Sequence, residues 1–138
     1  MTIIDMQTMR YINILDRASK VKTSKCFIYN NTIIFAVPKN MMSRAIGPGA
    51  INIKNIQNQL GKKVRIIAEA SGIEDAERFV LDIVEPIRFK SLDIQEGTLV
   101  ITSGNIHSKA SLMGRNKTRM DELATIVKDT FNLNLKIM

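Results

Sequence analysis

Two four-residue segments, Gly47-Pro48-Gly49-Ala50 and Gly114-Arg115-Asn116-Lys117, carry the residue types of this chain best suited to chemistry. Each is a short Gly-led turn between two helical patterns. Glycine lets the backbone approach a ligand closely. The amides that open the following helix point outward, and the helix dipole favours negative charge there. The anion-facing groups expected in the first segment are Gly47, Gly49 and the Ala50 N–H, with Arg44 and Lys54 on the flanking helices. In the second they are Gly114, Arg115, Asn116, Lys117 and Arg119. The chemistry is that of a phosphate cradle. Two copies in one small chain point to a tandem binder of single-stranded nucleic acid. The competing interpretation of either turn is a plain connection between helices.

Catalysis has no comparable support. His107 is the one histidine, and no Cys or carboxylate stands near it at metal-ligand spacing. The G-x-x-x-x-G-K-[ST] loop of nucleoside triphosphate enzymes is missing. The acidic groups Glu74, Asp75 and Glu77, and Asp121 and Glu122, fall in helix first turns, where the dipole accounts for them. No catalytic residue, metal or cofactor is expected.

The positioning elements must fit 138 residues and 15.5 kDa, enough for one ordinary domain or two small ones. Hydrophobic content of 45% supports a core, while aromatic content of 5% argues against base-stacking sheets. Net charge is +7 and the pI about 9.8, which favours a polyanionic partner. That charge is uneven. Residues 1–72 hold 11 Lys/Arg against 3 Asp/Glu, and residues 73–138 hold 9 against 10. Cys26 is the only cysteine, so no intrachain disulfide forms, and a buried structural thiol in a reducing compartment is expected. No apolar run approaches the ~18 residues of a membrane span. The N-terminal sequence has no signal-peptide pattern, and a cytoplasmic location is expected.

One structural unit is written twice. Shifting the first half by 66 residues sets Val21 on Ile87, Cys26 on Leu92, Ile28 on Ile94 and Ile34 on Val100. A shift of 67 then sets Gly47 on Gly114, Ile53 on Met120, Ile56 on Leu123 and Leu60 on Val127. In the first unit the pattern predicts a helix from Ile3 to Ser19, capped by Thr2 with Asp5 in a weak capping box. Its buried stripe is Ile4, Tyr11, Ile12, Leu15 and Ala18. A hairpin of Lys25–Tyr29 and Thr32–Val37 turns at Asn30-Asn31, residues that tolerate positive φ. Asn40 is expected to cap a helix from Met41 to Ile46. A second helix from Ala50 to Leu60 stops at Gly61, and Lys63–Ala68 is the last strand. The second unit predicts helices at 73–85, 106–113 and 118–131, and strands at 88–94, 98–102 and 132–137. The boundary falls near Ser71-Gly72, dividing the chain into 1–71 and 72–138.

The order α-β-β-α-α-β, with a Gly turn between the paired helices, resembles the type II KH fold. The run Ala45-Ile46-Gly47-Pro48-Gly49-Ala50-Ile51-Asn52-Ile53-Lys54 is similar to that family's I-G-x-G-G-x-N-I-K segment, and Leu60-Gly61-Lys62-Lys63-Val64 continues it. The tandem arrangement, with Arg10-Tyr11-Ile12 in the first helix and Glu74-Asp75-Ala76-Glu77-Arg78-Phe79 opening the second unit, resembles the compact archaeal NusA-like transcription factors. The resemblance implies an α+β chain of two tandem type II KH domains, each a small three-stranded sheet packed on helices. It implies single-stranded RNA as ligand, RNA polymerase as a partner, and a role on nascent RNA in elongation, termination or antitermination.

A KH domain of this kind clamps about four nucleotides, its turn against the phosphates. Bases would run along an apolar groove walled by Ile46 and Ile53, for which core packing is the competing role. Both turns depart from G-x-x-G: Pro48 removes an N–H, Ala50 replaces the last Gly of the first, and Lys117 that of the second. Unequal sites are therefore expected. Two other classes stay open: a KH module of ribosome assembly or translation, and a protein-interaction scaffold whose degenerate turns have lost RNA binding.

Overall fold

A computed structural model of the chain describes residues 6–23 and 25–138. The chain divides between Glu69 and Ala70 into two compact units. Both follow the expected α-β-β-α-α-β order.

In the first unit, α1 (Met6–Ser19) leads into β1 (Lys25–Tyr29) and β2 (Thr32–Val37). Asn30 and Asn31 both adopt positive φ, 49° and 59°. That is the geometry a two-residue hairpin turn demands. β1 and β2 are antiparallel, from Lys25↔Ala36 to Tyr29↔Thr32. β3 (Lys63–Ala68) then pairs parallel to β2, from Thr32↔Lys63 to Val37↔Ala68. Parallel neighbours need a crossover connection. Here α2 (Met42–Ile46) and α3 (Ile51–Leu60) supply it, so the strand pairing itself places the first Gly turn. Gly61 ends α3 in the left-handed region, its amide on the Gln57 carbonyl.

The helices cover one sheet face. Tyr11, Ile14 and Leu15 from α1, Ile33, Phe35 and Val37 from β2, Ala45, Ile56, and Val64 and Ile66 from β3 form one buried cluster. Truncating a side chain such as Phe35, fully buried here, typically costs about 3–5 kcal/mol.

The second unit repeats the plan with α4 (Ala76–Val84), β4 (Ser91–Gln95), β5 (Thr98–Thr102), α5 (Ile106–Met113), α6 (Thr118–Phe131) and β6 (Asn134–Ile137). Its sheet has the order β4-β5-β6, again antiparallel then parallel. Phe79, Val80, Ile83, Leu99, Ile101, Leu112, Leu123 and Val127 are fully buried. Phe79 meets Phe131 edge to face, ring centroids 5.7 Å apart.

Several expectations are corrected. The helix expected from Met41 begins as a 3-10 turn at Lys39–Met41, and no side chain caps it, so Asn40 is not its cap. The helix expected from Ala50 begins at Ile51, because Ala50 is left-handed, and the helix expected from Ile73 opens with a 3-10 turn at Ile73–Asp75. The strand expected from Arg88 begins at Ser91, because its partner β5 ends at Thr102, opposite Ser91. The strand expected from Asn132 begins at Asn134, because Asn132 is left-handed and closes α6 on the Lys128 carbonyl. In α1 the buried stripe is Tyr11, Ile14, Leu15 and Ser19; Ile12 is half-buried and Ala18 exposed. The expected roles of Thr2, Ile4 and Asp5 lie outside the described residues. Among those residues no helix is long and apolar enough to cross a membrane.

Candidate nucleic-acid interface

The two Gly turns have one backbone conformation. Gly47 adopts φ 79°, ψ 164°, and Gly114 φ 73°, ψ 175°. Gly49 adopts φ 61°, ψ 25°, and Asn116 φ 56°, ψ 28°. Ala50 adopts φ 60°, ψ 31°, and Lys117 φ 61°, ψ 22°. Three of four positions in each turn thus have positive φ, and the last two are left-handed helical. A residue with a Cβ is disfavoured there by about 1–2 kcal/mol, less for Asn. Ala50 and Lys117 hold the conformation regardless. Sequence identity between the turns is confined to the leading glycine, yet the path is the same.

Hydrogen bonding explains how. Each turn closes on itself through the amide of its fourth residue: Ala50 N–H on the Gly47 carbonyl at 3.0 Å, and Lys117 N–H on the Gly114 carbonyl at 3.2 Å. The next amides, of Ile51 and Thr118, bond the carbonyls of Pro48 and Arg115. The Ala50 amide, expected to face an anion, is therefore engaged within the turn. The amides outside this internal bonding are those of Gly49 in the first turn, and of Arg115 and Asn116 in the second. Pro48 contributes none.

Carbonyls at the end of the preceding helix would otherwise be orphaned. Gly47 N–H bonds the Ser43 carbonyl, and Gly114 N–H the Ala110 carbonyl. One residue on, Asn52 Nδ2 donates to the Arg44 carbonyl at 3.1 Å, and Arg119 Nη1 to the Ser111 carbonyl at 3.2 Å. Sequence reasoning missed both. Their signal was present in the internal alignment, where the shift of 67 sets Asn52 on Arg119 and Arg44 on Ser111.

The side chains expected at the interface fall as follows. Arg44, Pro48, Gly49 and Lys54 are exposed around the first turn, and Arg115, Asn116 and Lys117 around the second. Arg119 is half-buried, with one guanidinium nitrogen on Ser111. Ile46 and Ile53 are half-buried and pack against the first core. Ile51, the second residue after Gly49, is half exposed. His107 is exposed, and among the described residues no group of three His, Cys, Asp or Glu could hold a metal ion.

This arrangement, a sheet of antiparallel and parallel pairs crossed by two helices around a Gly-led turn, is that of a KH domain. The chain is a tandem of two type II KH folds. The sequence pattern of the KH domain family matches residues 32–81, starting at β2, taking in α2, the first turn, α3 and β3, and running into α4. The chain is similar to archaeal proteins named probable transcription termination protein NusA. It is 24% identical over 120 residues to that of Methanocaldococcus jannaschii, covering 85% of this chain and 64% of the relative. Identity is 22% over 98 residues to that of Halococcus morrhuae, covering 71% and 68%. It is 28% over 78 residues to that of Methanococcus vannielii, covering 56% and 43%. The chain therefore spans about two thirds or less of these relatives' length. Among solved structures, that of the protein APE1850 shares the fold, with a TM-score of 0.66 at 23% identity, covering 98% of this chain and all of the other.

Proposed function

We propose that this protein binds single-stranded RNA through both Gly turns and acts on nascent transcripts beside RNA polymerase. The observation that carries the reading is the common left-handed backbone of the two turns. A degenerate connection would have no reason to keep a conformation that disfavours Ala and Lys. In this reading Gly47, Pro48, Gly49 and Ala50 lie along the phosphate path of the first unit, with Arg44 and Lys54 beside it. Ile46 and Ile53 offer bases an apolar edge. Gly114, Arg115, Asn116, Lys117 and Arg119 serve the second unit. Binding to a polyanion fits the net charge of +7, and the names of the archaeal relatives support transcription over translation.

The second turn is the stronger phosphate site, although the first unit holds the charge excess. Arg115 adds an amide and a cation where the first turn has Pro48, and Lys117 adds a cation where it has Ala50. Local groups make the contacts, while the broad positive field of residues 1–72 speeds encounter.

Fluorescence anisotropy of a short labelled single-stranded RNA across a salt series tests this. Six neutralised phosphates give a slope of about −4 in log K against log salt. Pro48→Asp/Gly49→Asp and Arg115→Asp/Asn116→Asp should each weaken binding and flatten the slope, the second pair more. Asp tolerates the left-handed region at both Gly49 and Asn116, so the turns should survive the change. Wild-type binding that neither pair alters would sink the clamp and favour the scaffold class.

A further inference from the structure

We infer that Asn52 and Arg119 are positioning residues that hold the two turns in their anion-accepting shape, each passing over a leading glycine that leaves it room. The inference rests on the RNA-binding reading for its effect on affinity, but the hold itself is independent of any ligand. Each side chain leaves the second residue of the helix after the turn. Each reaches back across the turn to a carbonyl eight residues earlier, in the last turn of the preceding helix. The bond ties the two helix ends together over the four residues between them. It also satisfies a carbonyl that the helix cannot.

Three further observations fit. First, the leading glycine is required by the strap itself. A Cβ on Gly47 would lie 2.9 Å from Asn52 Nδ2, and one on Gly114 2.7 Å from Arg119 Cγ. The strap runs directly over the glycine, so the two residues work as a pair. Second, the trailing positions, Ala50 and Lys117, are not glycine, so something other than backbone freedom must keep them left-handed. Third, two chemically different side chains make the same bond at the same place in both units. An amide and a guanidinium share only an N–H donor of sufficient reach. Arg119 stands in the first turn of α6, where the helix dipole disfavours a cation, and its bond to the end of α5 offsets that. The second turn has an added tie, Thr118 Oγ1 donating to the Arg115 carbonyl at 2.7 Å, where the first unit has Ile51.

The test compares wild type with Asn52→Ala, Arg119→Ala and Arg119→Asn in the full chain. NMR hydrogen exchange is followed at the Ala50 and Lys117 amides, with those of Ile33–Val37 reporting that the core is intact. Losing one neutral bond should speed exchange roughly five-fold at Ala50 in Asn52→Ala, and at least as much at Lys117 in Arg119→Ala. Arg119→Asn transplants the first unit's strap onto the second turn, and should restore wild-type exchange at Lys117. RNA anisotropy then separates positioning from contact. Asn52→Ala should weaken binding roughly five-fold with an unchanged salt slope, because no charge is removed. Unchanged exchange in both Ala variants, or no rescue by Arg119→Asn, overturns the strap. Faster exchange with unaltered RNA affinity overturns its positioning role. Wild type that binds no RNA would instead defeat the function proposed above, and the exchange rates alone would then decide the strap.

Discussion

Gly114 and Arg119 are in contact across the second turn: a Cβ placed on the glycine would meet the Arg119 Cγ at 2.7 Å and its backbone nitrogen at 3.0 Å. The glycine's φ of 73° and ψ of 175° compound this, since that region belongs almost to glycine alone. Space and dihedral both forbid a side chain. Gly114→Ala should therefore destabilise the second unit by about 1–3 kcal/mol. Urea denaturation followed by β5 and α6 amide signals reads this directly. Stability within error of wild type would show that the turn relaxes at no cost.

Ala50 and Lys117 separate conformational strain from charge. Both sit at positive φ, 60° and 61°. Glycine at either position relieves strain of about 1–2 kcal/mol, partly offset by the greater freedom of the unfolded chain. Ala50→Gly should thus stabilise modestly and leave RNA affinity and its salt slope unchanged. Lys117→Gly should stabilise to a similar degree yet flatten the slope by about 0.7, the contribution of one phosphate contact. Equal slopes for Lys117→Gly and wild type would remove Lys117 from the phosphate path.

Arg78 of α4 bridges Asp75, just before the helix, and Asp82 within it: Nε and Nη2 donate to the Asp75 carboxylate and Nη1 to that of Asp82, and Asp75 also accepts the Ser71 amide at 3.2 Å. All three side chains are about a third exposed, so solvent screens the pairs. Arg78→Gln should cost less than about 1 kcal/mol, and the difference should shrink in high salt. The pKa of Arg78 is raised, first by its hydrogen bond to Asp75. A raised folded-state value means that the stabilisation is fully present below the unfolded-state value, and is lost only as pH climbs through the folded one. For a guanidinium that window lies above the working range. Thermal melts of wild type and Arg78→Gln should therefore keep a constant gap from neutral pH to pH 10. A gap that closes on mild alkalinisation would show that another group carries the effect.

Much of the fold was written in local sequence. Asn30-Asn31 names its hairpin turn because few residues but Asn and Gly accept left-handed backbone in succession. Strands β1, β2, β3 and β5 and helix α6 fall where alternation and periodicity put them. The position of both Gly turns in the repeat was legible for the same reason. Element starts were less so. Asn105, whose side chain accepts from the Ser108 amide at 2.7 Å, caps α5, while Asn40 caps nothing. Both are Asn ahead of a helical pattern, and the local path of the chain decides between them.

The kind of unit, its duplication and the place of the turns follow from patterns a few residues long, so the amino-acid order is enough to set them. Tertiary structure alone decided which groups of the turns face outward. Whether the Ala50 amide meets an anion or the Gly47 carbonyl depends on left-handed dihedrals that Ala does not announce. Whether Asn52 and Arg119 strap the turn depends on how closely two helix ends approach. That distance is set by the crossover that parallel pairing of β2 with β3, and of β5 with β6, imposes. Strand pairing over such separations leaves no local trace in the residues it positions.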